Sequence, residues 1–484
     1  MNALRPSLKV ASFTMFIWAV MMFLVMVPFA HEDHRSMQGL FISGSVCIVL
    51  SVVLMMLGRG AVPRVGSKPM FYVTTINWGL LCLTGALPFY FGLHDMRFVD
   101  ALFESVSGVT TTGSTIITGI EKIPPPLLLW RSLIQWVGGI GIILMAVAVL
   151  PFLKIGGMRL FQTESSEWSY HQNNRIGAVS RQIGLVYVFI TIAAILTFWI
   201  LGMSFFDAVN HAFTTVATGG YSTSDASFGQ FNDKLSLVWA GSLYMFMGGI
   251  PYLLYVSSLK SKKPLVFKDS QVQLFFKVVA ISTLSITLFR FWQHEDQLSF
   301  AVFTHTAFNV VSIVTTTGFA TEDYTLWGSF PLVVFAFLMF SGACSGSTSG
   351  GIKLFRFQLL SLTMREGMFK SLHPSGLYPR RYNDRPVSEG VLSASLAYVF
   401  MVLISLMVFS VALSLTGLDP VTSLTSTITA LMNVGPGFGD IIGPAGNFTT
   451  LGETAKLLLC LAMLMGRLEF LALLIFLSPR FWKW

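Results

Sequence analysis

VTTTGST, from Val109 to Thr115, interrupts a long apolar stretch, and its reading decides the fold. Three similar interruptions follow: TVATGGYST (215–223), VTTTGFATED (314–323) and LMNVGPGFGD (431–440). The chain around them has 484 residues, 54% hydrophobic and only 11% charged, with a mean hydropathy of +0.69. That is too little charge to solvate a soluble protein of this size. The chain reads as an integral membrane protein, so threonine and glycine at membrane depth need a reason.

Aligned on Gly113, Gly219, Gly318 and Gly435, the four segments recur about every hundred residues, far beyond solenoid periods. Each follows an apolar stretch too short to cross a bilayer: DALFESVSGV, FDAVNHAFTTV, HTAFNVVSIV and TSLTSTITALM. Nine residues before each glycine stands a polar residue: Glu104, Asn210, Asn309 and Ser426. A full span follows each segment and carries a mid-span glycine: Gly138, Gly248, Gly342 and Gly466. From about residue 69 the chain is therefore a fourfold repeat of helix, half-helix, loop and helix.

A hydrocarbon core of roughly 30 Å takes about 20 helical residues. Ten candidate spans fall near 10–30, 38–58, 69–92, 126–153, 182–203, 235–259, 272–292, 330–363, 390–416 and 453–477. The first is too long for a signal peptide and lacks a cleavage site. Loops rich in Lys and Arg (59–68, 154–181, 260–268 and 353–385) alternate with poorer ones, which places them and both termini in the cytoplasm. The net charge of +8 is mostly loop charge, scattered in a way that argues against a nucleic-acid partner. Cys47, Cys82, Cys344 and Cys460 have no metal-ligand spacing and read as packing residues. The expected organisation is an all-α polytopic membrane protein. It has an N-terminal helix pair (1–65), a first repeat (66–160), a linker with a second repeat (161–260), a third repeat (261–370), and a linker with a fourth (371–484). With two full spans each, the repeats share one orientation and suit closure around an axis normal to the bilayer.

Irregular backbone inside a bilayer survives only where it is buried in protein or lines a wet cavity. A ring of four such segments offers inward carbonyls in place of an ion's hydration shell. The segments carry no carboxylate in their cores, so the design is a ring of dipoles rather than of charges. Half-helix C-termini directed at the cavity favour a cation there.

These features resemble the superfamily of potassium transporters that includes bacterial Trk and Ktr pore subunits, fungal Trk and plant HKT proteins. The extra N-terminal pair, the length, LPFLKIGGMRLFQTESSE (150–167) and SGACSGSTSGGIKLFR (341–356) narrow the resemblance to the bacterial TrkH pore subunit. Asn174, where the family usually has proline, is a departure confined to a linker. Glycine in all four filter positions implies potassium as the transported and bound ion, with rubidium and caesium also passing; serine in the first position marks sodium-preferring plant relatives. The resemblance further implies carbonyl ligands from Thr111, Thr112, Ala217, Thr218, Thr316, Thr317, Asn433 and Val434. It implies a bacterial inner membrane, a homodimer and a cytosolic TrkA-type nucleotide-binding ring. This chain shows no strand followed by G-x-G-x-x-G, so nucleotide is expected on the partner only.

SGACSGSTSGG (341–351) lies within an expected span but is poor helix. With Gly342, Gly346, Ser347, Gly350 and Gly351 it reads as an intramembrane gate below the filter, the role the family resemblance also implies. GSTSGGIK is no phosphate loop, because Ile352 separates Gly351 from Lys353. Arg467, amid apolar residues, costs at least about 2.5–3.5 kcal/mol to insert unless it finds partners or water; it reads as a pore-facing charge beside the gate, whereas Lys353 reads as a cytoplasmic-end residue. Glu104 is expected to orient filter backbone, with Asn210 and Asn309 in support. Two other readings stay open: a symporter coupled to protons or sodium through Glu104 or Glu469, and, remotely, a hydrolase pairing Ser347 with His211 or His305.

Overall fold

The computed structural model describes residues 4–31, 33–60, 67–148, 172–294, 299–383, 385–468, 470 and 479. The family-like stretch 150–167 and Glu469 lie outside them. The described chain is mostly helical. Two long helices, Leu4–Met26 and His34–Leu57, form an antiparallel pair. Ser12 and Ser51 lock it by donating their hydroxyls to each other's carbonyls, both at 2.8 Å. The pair packs on the first unit through Trp18 and Trp130, whose rings meet edge to face at 4.9 Å.

Among the described residues, six helices are long and apolar enough to cross a membrane, and a bent pair would make a seventh. Their outward faces expose Phe13, Phe41, Phe189, Trp292 and Phe400. Such a greasy exterior suits lipid rather than water.

Four short helices precede the glycine segments: Phe98–Val109, Phe205–Val216, Phe300–Val314 and Pro420–Met432. At 12 to 15 residues they reach only about 18–22 Å and cannot span. Three have side-chain N-caps: Ser204 accepts from Asp207 N, Ser299 from Val302 N, and Asp419 from Thr422 N. Each cap satisfies a donor that the helix itself leaves unpaired.

Two expected spans are broken. The stretch 235–259 is two helices, Leu235–Gly248 and Tyr252–Ser261, bent by 86°. Pro251 lies at the bend, where its ring and missing N–H prevent a continuous helix. The stretch 330–363 stops at Phe340 and resumes at Leu354. Between them Ser341 and Gly342 pair in parallel with Ile352 and Lys353, pinching off the loop 343–351. The expected last span is helical over Glu453–Arg467.

Candidate functional site

All four short helices end in one way. Just past each helix one amide bonds three residues back: Thr111 N to Gly108 O, Thr218 N to Thr215 O, Thr316 N to Ile313 O and Asn433 N to Ala430 O. The next amide reaches one residue further: Thr112 to Ser107 O, Gly219 to Thr214 O, Thr317 to Ser312 O and Val434 to Thr429 O. This is the Schellman closure, and it requires a left-handed residue. Thr111, Thr218, Thr316 and Asn433 occupy it, with φ from 51° to 56°. Left-handed backbone is uncommon for a β-branched residue and tolerated by asparagine. Three strained threonines in equivalent places mark a site whose surroundings hold the conformation.

Two residues on, the chain turns again at positive φ, at Gly113 (84°), Gly220 (77°), Gly318 (81°) and Gly435 (109°). The second equivalent is thus Gly220, and the alignment on Gly219 is off by one. Gly219 matches Thr112, Thr317 and Val434 instead. The carbonyls before the second glycine are accordingly those of Thr218 and Gly219, replacing Ala217 and Thr218. The sequence held the signal, because threonine or asparagine stands two before the glycine in T-x-G or N-x-G only on the second glycine of TGG.

The four segments close into a ring. A methyl group on Gly113 would fall within 3.0 Å of Gly219 O, one on Gly220 of Thr317 O, one on Gly318 of Val434 O, and one on Gly435 of Thr112 O. Each glycine therefore abuts the carbonyl of the next segment, and the fourth returns to the first. No side chain fits at these contacts. The same four glycines line one cavity, together with Ser114 and Asp225. The Asp225 carboxylate accepts from Gly119 N at 2.8 Å and Ile120 N at 3.2 Å.

Behind the ring, the polar residues of the short helices brace the loops. Glu104 is fully buried. It accepts from Arg131 Nε at 2.6 Å, from the Thr115 hydroxyl and from Ile116 N, both at 3.1 Å. Arg131 also donates to Ser222 O at 2.9 Å and lies 3.6 Å over the Tyr221 ring, whose hydroxyl donates to Glu104 O. Asn309 donates to the Thr321 hydroxyl at 2.8 Å and accepts from Thr321 N. Asn210 does not do this: its amide donates only to Phe206 O on its own helix. The one-residue shift puts His211 in its place, and His211 Nε2 meets the Ser222 hydroxyl at 3.1 Å. His211 is thus turned to Ser222 and the Ser347 hydroxyl donates to Cys344 O at 2.6 Å, so the described contacts do not pair Ser347 with His211.

The loop 343–351 is bound to three of the four segments. Gly350 N donates to the Thr316 hydroxyl at 2.6 Å. The Thr348 hydroxyl donates to Val216 O at 3.1 Å and to Gly248 O at 3.0 Å. A methyl on Gly350 would strike Met432 O. Gly346 O accepts from Tyr252 N, and Cys344 N donates to Gly249 O, so the bend of the second unit anchors the loop. Gly351 carries positive φ (68°), as does Gly346 (81°). Ser347 also meets the Ser349 hydroxyl at 2.9 Å. The mid-span glycines divide here. Gly138, Gly248 and Gly466 give room to the carbonyls of Val109, Val216 and Leu431, whereas Gly342 faces Gly350 O within the loop.

Arg467 is buried and donates Nη1 to Thr348 O at 3.0 Å. Its Nε and Nη2 have no partner among the described residues. Lys353 is also buried, and its ammonium donates to Ser349 O and to the Ser349 hydroxyl. Two cations thus hold successive loop carbonyls. Sequence reasoning missed Lys353 because a helix restarting at residue 354 makes it look terminal.

The family model of TrkH, described as a cation transport protein, matches residues 36–483. The chain belongs to the TrkH family. It is 42% identical over 481 residues to the Trk system potassium uptake protein TrkI of Halomonas elongata, covering 99% of this chain and 97% of that one. It is 35% identical over 426 residues to the Trk system potassium uptake protein TrkH of Escherichia coli, covering 86% of each. The crystal structure of the potassium transporter TrkH from Vibrio parahaemolyticus superposes with a TM-score of 0.91 at 30% identity, covering 99% of both chains. Membership makes this a multi-pass membrane protein of a transport family rather than an enzyme family.

Proposed function

We propose that this chain carries potassium into the cell through the ring of Thr111–Gly113, Thr218–Gly220, Thr316–Gly318 and Asn433–Gly435. Potassium is cargo, held in passing by the ring's carbonyl oxygens, and the four units are repeats around one pore. The observation that carries the reading is the closed cycle of glycine-to-carbonyl contacts at the ends of four short helices. Those helices turn their partial negative ends toward the ring, which favours a cation there. Both termini and the Lys- and Arg-rich loops lie in the cytoplasm of a bacterial cell, with the ten-span topology of the sequence reading.

The loop 343–351 is the gate. It lies against the inner side of the ring, held by Thr316, Val216 and Arg467, and glycine and serine give it the freedom to move. Arg467 adds a positive charge on the cation's path and raises the barrier while the loop is closed. A homodimer and a cytosolic nucleotide-binding ring acting on the basic loops complete the assembly, consistent with the Trk systems of its relatives.

Coupling to protons or sodium is the competing reading. Glu104, its described candidate carboxylate, is engaged by Arg131 and two loop donors. The test is rubidium uptake into vesicles of purified protein with only a potassium gradient as the driving force. Uptake under those conditions supports a gated pore; uptake that demands a proton or sodium gradient contradicts it.

A further inference from the structure

The four ring segments are not anchored alike. In the first, the Thr112 hydroxyl meets that of Thr110 at 2.7 Å. In the third, Thr317 meets Thr315 at 2.8 Å. In the fourth, Asn433 donates its amide to Met463 O and to the Thr112 hydroxyl, both at 3.0 Å. In the second segment the corresponding residues are Ala217 and Gly219, which have no hydroxyl to offer.

Gln135, from the long helix Pro125–Ala148 of the first unit, occupies that vacancy. It is fully buried. Its Nε2 donates to Gly219 O at 2.6 Å, and its Oε1 accepts from Tyr221 N at 3.1 Å. The reverse amide orientation would set oxygen against oxygen and N–H against N–H, so both contacts fix it. Gly219 lacks the positive φ of its neighbour Gly220; it is glycine because the carboxamide fills the space of a Cβ, with all three amide heavy atoms within 3.0 Å of it. Three residues before Gly248, Gly342 and Gly466, the places matching Gln135 are Met245, Met339 and Met463. The amide is therefore peculiar to the unit that faces the second segment.

We propose that Gln135 is a positioning residue that sets ion preference by holding the Gly219 carbonyl in the ring. A carbonyl has two lone pairs, so one can accept from Gln135 while the other faces the cation. Without the clamp, a glycine peptide with no side-chain anchor is free to turn its oxygen away. Discrimination between potassium and sodium depends on the number and field of the oxygens presented, so one oxygen lost weakens it. This inference rests on the ring being the filter.

The test compares rubidium and sodium uptake in vesicles for wild type, Gln135→Met, Gly219→Ala and, as a control on the filter itself, Gly435→Ala. Gln135→Met installs the residue of the other three units. Gly219→Ala keeps the amide but pushes it off the carbonyl, so it tests the clamp if the first variant fails to fold. Both are expected to lower rubidium preference about fivefold, the effect of one buried hydrogen bond, and Gln135→Met is expected to do so at near-unchanged maximal rubidium uptake. Unchanged preference in both, with Gly435→Ala losing it, overturns the role of Gln135 and leaves the filter standing. Unchanged preference in Gly435→Ala as well means the filter reading itself has failed. An equal fall in rubidium and sodium uptake in both clamp variants also overturns it, showing that Gln135 only packs.

Discussion

At the scale of the residue, the site is defined by backbone conformation more than by side chains. Threonine stands in a left-handed position three times, and asparagine takes the fourth. This explains why LMNVGPGFGD lacks the threonines of its counterparts yet keeps the geometry. Glu104 supplies the clearest energetic test. It and Arg131 are both buried and lie 2.6 Å apart. Removing one partner of such a pair strands the other, at a cost of about 3–5 kcal/mol. Glu104→Gln is therefore expected to lower the melting temperature in detergent, and adding Arg131→Met to recover part of the loss. A single variant that melts as wild type does would show the pair to be energetically idle. The residues of this network were only half legible in the sequence. Glu104 stood out as a carboxylate in an apolar stretch, but Arg131 and Tyr221 acquire meaning only when the second segment folds against the first unit's helix. His211 was hidden by the single extra glycine in TGG.

At the scale of the element, the helices that matter are the interrupted ones. The short helices and the run of small residues at 341–351 were legible, because length and composition alone preclude continuous spans there. The 86° bend after Gly248 was not foreseen, although Pro251 signalled it. Nor was the burial of Lys353, which sits in the short parallel pairing of residues 341–342 with 352–353. If the loop occludes the path, deleting 345–350 raises rubidium flux in the absence of any cytosolic partner, and Arg467→Gln raises it in part. Flux unchanged by the deletion would count against a gate.

Outside the membrane, Glu366 on the helix Leu354–Leu372 grips Arg380 through two bonds of 2.6 Å and Lys370 at 2.7 Å. Arg380 first, then Lys370, holds its carboxyl down at about 2, from an ordinary 4.5. A depressed carboxylate stabilises the fold above its unfolded pKa and releases that stability as pH falls toward its folded one. Hydrogen exchange in 373–388, corrected for intrinsic rates, is expected to stay slow down to about pH 4.5 and to quicken between there and about pH 2. Glu366→Gln should remove that pH step; a step of equal size in the variant would assign it to another group.

At the scale of the whole molecule, the fourfold arrangement joins distant parts of the chain into one cycle. Gly113 meets Gly219, Gly220 meets Thr317, Gly318 meets Val434 and Gly435 meets Thr112. The recurrence of the four segments was plain in the sequence, whereas their order around the ring was not, since no spacing reveals which carbonyl a glycine will touch. The ring also fits the composition: the long helices turn apolar faces outward, and threonine, serine and glycine gather at the ring, where irregular backbone is buried in protein. The central claim is that these carbonyls, fixed by glycines that admit no side chain, choose the ion. Its most direct test is the ratio of rubidium to sodium uptake in vesicles carrying Gly113→Ser beside wild type at equal protein insertion. The account predicts that the serine variant loses most of its rubidium preference while still conducting; a ratio equal to that of wild type would contradict it.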